Sequence, residues 1–315
     1  MNKNYTLGID IGGTNTKFGL VDAEGHVMRE DHVSTPEYAT ANELILEIFD
    51  WVKLNLKGHT LLGIGIGAPS ANFFTGCIEY APNLRWKGII ELKKITEDIF
   101  KCETVVTNDA NAAALGEMMY GCAKGLTDFV EITLGTGLGS GIICAGKLLY
   151  GHDGMAGEYG HISIDPNGRD CGCGRKGCLE TYASSTGVTR SIKLLEHPSK
   201  STSNLFLLEH PSAKDVFELA TKENDEFSNY IIDYTAQILG FSLANFAAFS
   251  NPSAYVLFGG IAQSGQYFLD KVKTEMERNM LINYQGKVTI LLSALHDRNA
   301  AVLGSAALAF QEIKI

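Results

Sequence analysis

Asn108-Asp109-Ala110-Asn111 stands between a β-branched run, Thr104-Val105-Val106-Thr107, and an alanine-rich run that extends to Tyr120 and is closed by Gly121. The first run reads as a short buried strand and the second as a helix. Asn108 or Asp109 is a natural N-cap, so a carboxylate falls where a strand ends and a helix begins. In open α/β sheets that edge is where ligands collect. Taken alone, Asp109 is better explained as no more than a helix cap. Stretches on both sides of it change the balance.

Upstream, Tyr5 to Asp10 reads as a strand, Ile11-Gly12-Gly13-Thr14-Asn15-Thr16 as a turn and Lys17 to Val21 as a second strand, with a third near Val27. Thr40-Ala41-Asn42-Glu43 is a capping box ahead of Leu44, Ile45, Ile48, Trp51 and Val52 on one helical face. Leu61 to Ile66 is a further strand, and Ile89 to Phe100 is predicted helical. Downstream the opening pattern returns: a strand at Phe129 to Leu134, a turn through Gly135-Thr136-Gly137-Leu138-Gly139, and a strand at Ile142 to Cys144. The echo suggests two related α/β domains, placed at residues 1–120 plus 298–315 and at 121–297. Residues 196–211 read as a surface insertion, and Phe227, Tyr230, Ile231, Tyr234, Ile238 and Phe241 as a core stripe of one helix. Tyr255 to Phe258 is a buried strand ending at Gly259-Gly260, and Asn299 to Phe310 a helix of small residues suited to close packing.

A length of 315 residues accommodates two such cores. The net charge of −10 argues against a nucleic-acid partner, whose phosphates require a basic face. The N-terminus has no signal-peptide pattern, and Leu239 to Ala262 is too interrupted by Asn and Pro for a membrane span, so a cytoplasmic protein without a membrane partner is expected. Seven cysteines make a disulfide framework improbable in such a chain. Cys77, Cys102, Cys122 and Cys144 are expected as buried free thiols.

Gly12-Gly13-Thr14 and Gly135-Thr136-Gly137 each offer backbone amides and a hydroxyl to an anion. Asp10, at a strand end, can face a Mg²⁺ ion held by phosphate oxygens. Either loop alone could be a turn that needs positive φ; the pair suggests a clamp on a polyphosphate. Gly172-Cys173-Gly174-Arg175-Lys176-Gly177 matches a dinucleotide fingerprint in spacing only, since no strand precedes it. Its chemistry is that of a metal knot: Cys171, Cys173 and Cys178 with His161 complete a tetrahedral zinc set with no open position, hence structural zinc. Glu158 and Glu180 flank this set and are suited to accept hydrogen bonds from a polyol.

Together, Asp10-Ile11-Gly12-Gly13-Thr14, Ala81-Pro82-Asn83-Leu84, Asn108-Asp109-Ala110-Asn111, Gly135-Thr136-Gly137-Leu138-Gly139, Gly157-Glu158-Tyr159-Gly160-His161 and the Cys171 to Glu180 block resemble the ROK family (repressor, open reading frame, kinase). That resemblance implies an actin-like ATPase (ribonuclease H-like) fold of two α/β domains facing a central cleft. It implies Asp109 as general base toward a sugar hydroxyl, and Asn83, Asn108, Glu158, His161 and Glu180 as sugar ligands. Asp10, Gly12, Gly13, Thr14, Gly135, Thr136, Gly137, Gly259 and Gly260 would hold ATP and its Mg²⁺. The expected partners are a hexose and ATP, in a homodimer or homotetramer. Glucose is the favoured substrate; N-acetylmannosamine, N-acetylglucosamine and fructose are alternatives, as is a sugar-sensing regulator without activity. A repressor carries a helix-turn-helix ahead of the first glycine loop, for which the nine residues before Asp10 leave no room. Two departures from the family pattern are Ser140, in place of a further glycine, and the loop Ala68 to Phe74.

Overall fold

The computed structural model describes residues 3–295 and 299–313. In chain order its elements are β1 (Asn4–Ile11), β2 (Asn15–Val21), β3 (Val27–Ser34), α1 (Ala41–Asn55), β4 (Thr60–Gly67), β5 (Ile78–Glu79), β6 (Ile89–Ile90), α2 (Leu92–Phe100), β7 (Thr104–Thr107) and α3 (Asp109–Tyr120). There follow β8 (Phe129–Leu134), β9 (Leu138–Cys144), β10 (Lys147–Leu148), α4 (Glu180–Ala183), α5 (Ser185–Leu194), α6 (Ala213–Glu223), α7 (Glu226–Ser250), β11 (Ala254–Phe258), α8 (Gln266–Asn279), β12 (Thr289–Leu292) and α9 (Ala300–Glu312). Two compact units result, one of residues 1–127, 141–157 and 293–315, the other of 128–140 and 158–292. The chain passes from one to the other within β9. The boundary expected between residues 297 and 298 lies outside the described residues.

Each of the two large sheets has five strands, in the orders β3-β2-β1-β4-β7 and β10-β9-β8-β11-β12. In the first, β1 pairs antiparallel with β2 and parallel with β4, and β4 is parallel to β7. In the second, β11 lies parallel to both β8 and β12. The repeated strand-turn-strand signature therefore marks corresponding strands of two similarly ordered sheets. Among the described residues no helix is long and apolar enough to cross a membrane.

Small residues set the spacing in the first unit. A Cβ on Gly8 of β1 would lie 2.2 Å from the Val302 carbonyl oxygen, and one on Gly65 of β4 would lie 1.8 Å from that of Ser305. Alternate glycines in β4 thus let α9 lie directly on the sheet, and Ser305 Oγ accepts a hydrogen bond from the Gly67 amide at 3.2 Å. On its other side α9 meets α3 just as closely, Gly116 against Gly304. This stack of sheet, α9 and α3 fixes where α3 begins. Gly65→Ala is expected to cost about 1–3 kcal/mol or more through overpacking, read as a lower denaturant midpoint; an unchanged midpoint would contradict so close an approach.

Several local expectations need correction. The capping box at α1 is displaced by one residue: Thr40 accepts from the Glu43 amide, but Glu43 reaches back to the amide of Ala39. The segment 89–100 begins as the short strand β6, with the helix starting only at Leu92. The 196–211 segment is anchored rather than merely superficial, because Leu205 is fully buried and Asp225 accepts from Ser203 Oγ and the Asn204 amide. In α7 the buried face runs through Phe227, Ile231, Leu239 and Leu243, while Tyr230, Tyr234 and Ile238 are half-buried and Phe241 is exposed. The four scattered cysteines are not core thiols: Cys77, Cys102 and Cys122 are half-buried and Cys144 is exposed.

Candidate active site

In the first unit the parallel strands end in register, Asp10 opposite Gly67 and Gly67 opposite Thr107, so Asp10 and the β7–α3 junction share one sheet edge. Asn108 is the N-cap of α3. The Ala110 amide donates to Asn108 Oδ1 and to Asp109 Oδ1, each at 2.9 Å. Asp109 keeps its side chain open to solvent. Crowding by the surrounding protein nevertheless raises its pKa above the usual carboxylate range, against the lowering effect of the Ala110 amide. Asp10 is pushed up to about 7, first by burial and then by the Asp109 charge, with Lys17 across the strand pair opposing. A cation placed beside Asp10 would relieve both effects.

The β1–β2 turn carries Gly12, Gly13 and Thr14 beside that carboxylate. Neither glycine has a positive φ, so the reading as a turn needing positive φ does not explain them. Room does: a Cβ on Gly13 would lie 2.6 Å from the carbonyl oxygen of Asn83, which brings the 81–84 loop against this turn. The Ala68 to Phe74 loop is also tied within this unit. Asn72 Nδ2 donates to the Asp153 carbonyl at 2.8 Å, and Phe73 stacks on Tyr150 at 3.8 Å.

The second unit holds the other half of the residue set. Gly135 and Gly137 also avoid positive φ. A Cβ on Gly135 would meet no protein atom closer than 3.9 Å, and one on Gly260 would meet none within 4 Å. Packing does not require glycine at those two points, and the space beside them is open. Gly259 differs, having φ +98° and the Leu134 carbonyl oxygen 2.6 Å from where its Cβ would stand.

The ligand atoms of His161, Cys171, Cys173 and Cys178 all lie within 4.8 Å of one another. Cys173 and Cys178 Sγ are 3.7 Å apart, as are Cys171 Sγ and His161 Nδ1. A tetrahedral zinc with Zn–S bonds of ~2.3 Å has an S···S edge of ~3.8 Å, so the donor set fits that ion. Burial pushes the Cys171 thiol up to about 12 and raises that of Cys178, so an incoming metal would displace protons there. The knuckle closes through the Cys171 amide on the Arg175 carbonyl at 2.9 Å, and Gly177 (φ +67°) sits where a Cβ would be 1.7 Å from the Asp165 oxygen.

Glu180, at the start of α4, joins this knuckle to the glycine loop. Its Oε1 accepts from the Cys171 thiol at 3.4 Å and its Oε2 from the Leu138 amide at 3.2 Å. Glu158 precedes the single turn that carries His161, and the His161 amide donates to the Glu158 carbonyl at 3.1 Å. Ser140 proves to have a task of its own, accepting from the Tyr159 amide at 3.3 Å and so holding that turn. Sequence reasoning missed this support, since nothing in a Gly-to-Ser departure says which amide the hydroxyl will meet.

Two five-stranded sheets of matching strand order, with helices, define the actin-like ATPase fold, as similarity to solved structures bears out. A ROK family glucokinase from Streptomyces griseus, solved in complex with glucose and AMPPNP, matches with a TM-score of 0.79 and 34% identity over 98% of this chain and 99% of that one. The chain belongs to the ROK family, whose sequence profile matches residues 6–312. It is 36% identical to a glucokinase of Halalkalibacterium halodurans over 99% of this chain and 97% of the relative. A xylose repressor of Bacillus spizizenii is 30% identical over 98% of this chain, which covers 77% of that relative.

Proposed function

We propose that this protein is an ATP-dependent hexose kinase that phosphorylates glucose at its 6-hydroxyl, with Asp109 as the general base. The observation that carries this reading is Asp109 itself: a solvent-open carboxylate at a helix N-terminus, of raised basicity, sharing a sheet edge with the half-buried carboxylate of Asp10. Phosphoryl transfer has a loose transition state, so positioning and charge neutralisation do most of the work and the base acts late. Asp10 would face the Mg²⁺ of ATP, and Gly12, Gly13, Thr14, Gly135, Thr136 and Gly137 would supply amides and hydroxyls to its phosphates. Gly259 and Gly260 would lie against the adenosine. Asn83, Asn108, Glu158, His161 and Glu180 would hold the sugar hydroxyls. His161, Cys171, Cys173 and Cys178 would hold a structural zinc that keeps the knuckle rigid. The similarity to glucokinases supports glucose over N-acetylmannosamine, N-acetylglucosamine and fructose.

The second reading, a sugar-sensing regulator without turnover, draws on the similarity to a xylose repressor. A coupled assay of ADP release across a hexose panel separates the two. ATP turnover dependent on glucose, with weaker response to the other hexoses, is the expected result. Sugar binding without turnover of any hexose would leave the regulator.

A further inference from the structure

In the second unit two grooves, each of about 470 Å³, meet at Ser185, Ala213 and Lys214. One runs between α6 and the turn after β11, with Gly260 and Ile261 on one side and Phe217 as an apolar wall. The other passes Thr136 of the glycine loop and is bordered by Arg190 and Lys193, one turn apart on α5, and by Lys214 at the start of α6. Three cations along one groove stand out in a chain of net charge −10. Of the three, Lys214 alone has a carboxylate within ion-pair distance among the described residues. Arg190 donates to the Asp170 carbonyl at 2.9 Å, and Lys214 lies 4.0 Å from a Glu218 that also meets Lys222 at 3.4 Å. Asp215 is taken up by the capping box with Ser212. Among the described residues no carboxylate comes within ion-pair distance of Arg190 or Lys193. The Ser185 amide donates to the Gly135 carbonyl at 2.8 Å, which locks α5 to the glycine loop and sets its cations beside Thr136.

We infer that Lys214, Arg190 and Lys193 form the wall that holds the triphosphate of the donor nucleotide, with the nucleoside in the Gly260 groove and Lys214 at the junction between the two. This rests on the reading of a nucleoside triphosphate as donor, and adds to it the cations that the glycine loops lack. A glycine loop offers only partial charges, whereas ammonium and guanidinium groups meet phosphate oxygens with full ones. The apolar wall lies on the nucleoside side and the basic one on the phosphate side, as a nucleotide requires. Residue type and spacing single out none of the three, because α5 and α6 bring them to the glycine loop only in the folded chain.

The test is titration of the full-length protein with AMPPNP, tripolyphosphate and adenosine, in the presence of Mg²⁺, for the wild type, Lys214→Met, Arg190→Met/Lys193→Met and Lys214→Arg. Loss of one charge-assisted contact in Lys214→Met, and of up to two in the double variant, is expected to weaken AMPPNP and tripolyphosphate at least roughly ten- to a hundred-fold. Adenosine binding should be unchanged, and Lys214→Arg should retain most of the AMPPNP affinity. Equal AMPPNP binding by the wild type and both Met variants would overturn the inference. So would a parallel loss of adenosine binding, which would mark a general disturbance of the fold. If the wild type bound none of the three ligands, the donor reading itself would fall.

Discussion

Asp109→Asn is expected to retain hexose binding and to lose roughly two to four orders of magnitude in turnover. The substitution is unusually clean here. Asn can still accept the Ala110 amide bond that Asp109 now receives at 2.9 Å, and Asn108 remains the cap, so the start of α3 is preserved. Its position is held independently by the contact of α3 with α9. What disappears is the proton acceptor. On the proposed reading the acceptor in the wild type is the ionised form, whose pKa the surrounding protein raises, so turnover should fall with acidification at a pH above that of an ordinary carboxylate. Asp10, pushed up to about 7, feels the Asp109 charge directly, so the apparent values in a rate profile belong to the pair. Near-normal turnover in Asp109→Asn would remove this residue from the role of base.

Loss of zinc should produce the other large effect. Chelation, or Cys178→Ala at a fully buried ligand, is expected to lower hexose affinity about ten- to a hundred-fold before nucleotide affinity changes. His161 would lose its anchor directly, Glu180 its neighbour Cys171, and Glu158 the turn it shares with His161. The glycine loop touches Glu180 as well, but it has separate supports: the Ser185 amide on Gly135 at 2.8 Å and the Gly135 amide on Gly137 at 3.1 Å. The checks are calorimetric titrations with glucose and AMPPNP alongside elemental analysis. Less than one zinc per chain in protein purified without chelator, or nucleotide affinity falling first, would refute this ordering.

Much of this was legible without coordinates because the signals are local. Asn108-Asp109 between a strand and a helix, the repeated glycine-threonine turns and the clustered cysteines each imply their chemistry through neighbours a few residues away. Where reasoning from the chain went astray, the deciding partner was distant. The α7 stripe was assigned by periodicity alone, yet which of its faces is covered depends on α6 and α8. For either glycine loop alone a turn needing positive φ was the competing explanation, whereas Gly13 is small because Asn83, seventy residues away, passes against it.

The sequence by itself determined which groups are available: a carboxylate at a helix start, two glycine-threonine loops, and a histidine with three clustered cysteines. Those follow from residue type and short spacing, which survive in any fold that keeps the local elements intact. Only the tertiary structure decided how basic the carboxylates are, how Glu180 joins the knuckle to the glycine loop, and that Lys214 and Arg190 come beside Thr136. Burial, charge proximity and hydrogen bonds across long separations arise only when the chain has packed, and no local pattern encodes them.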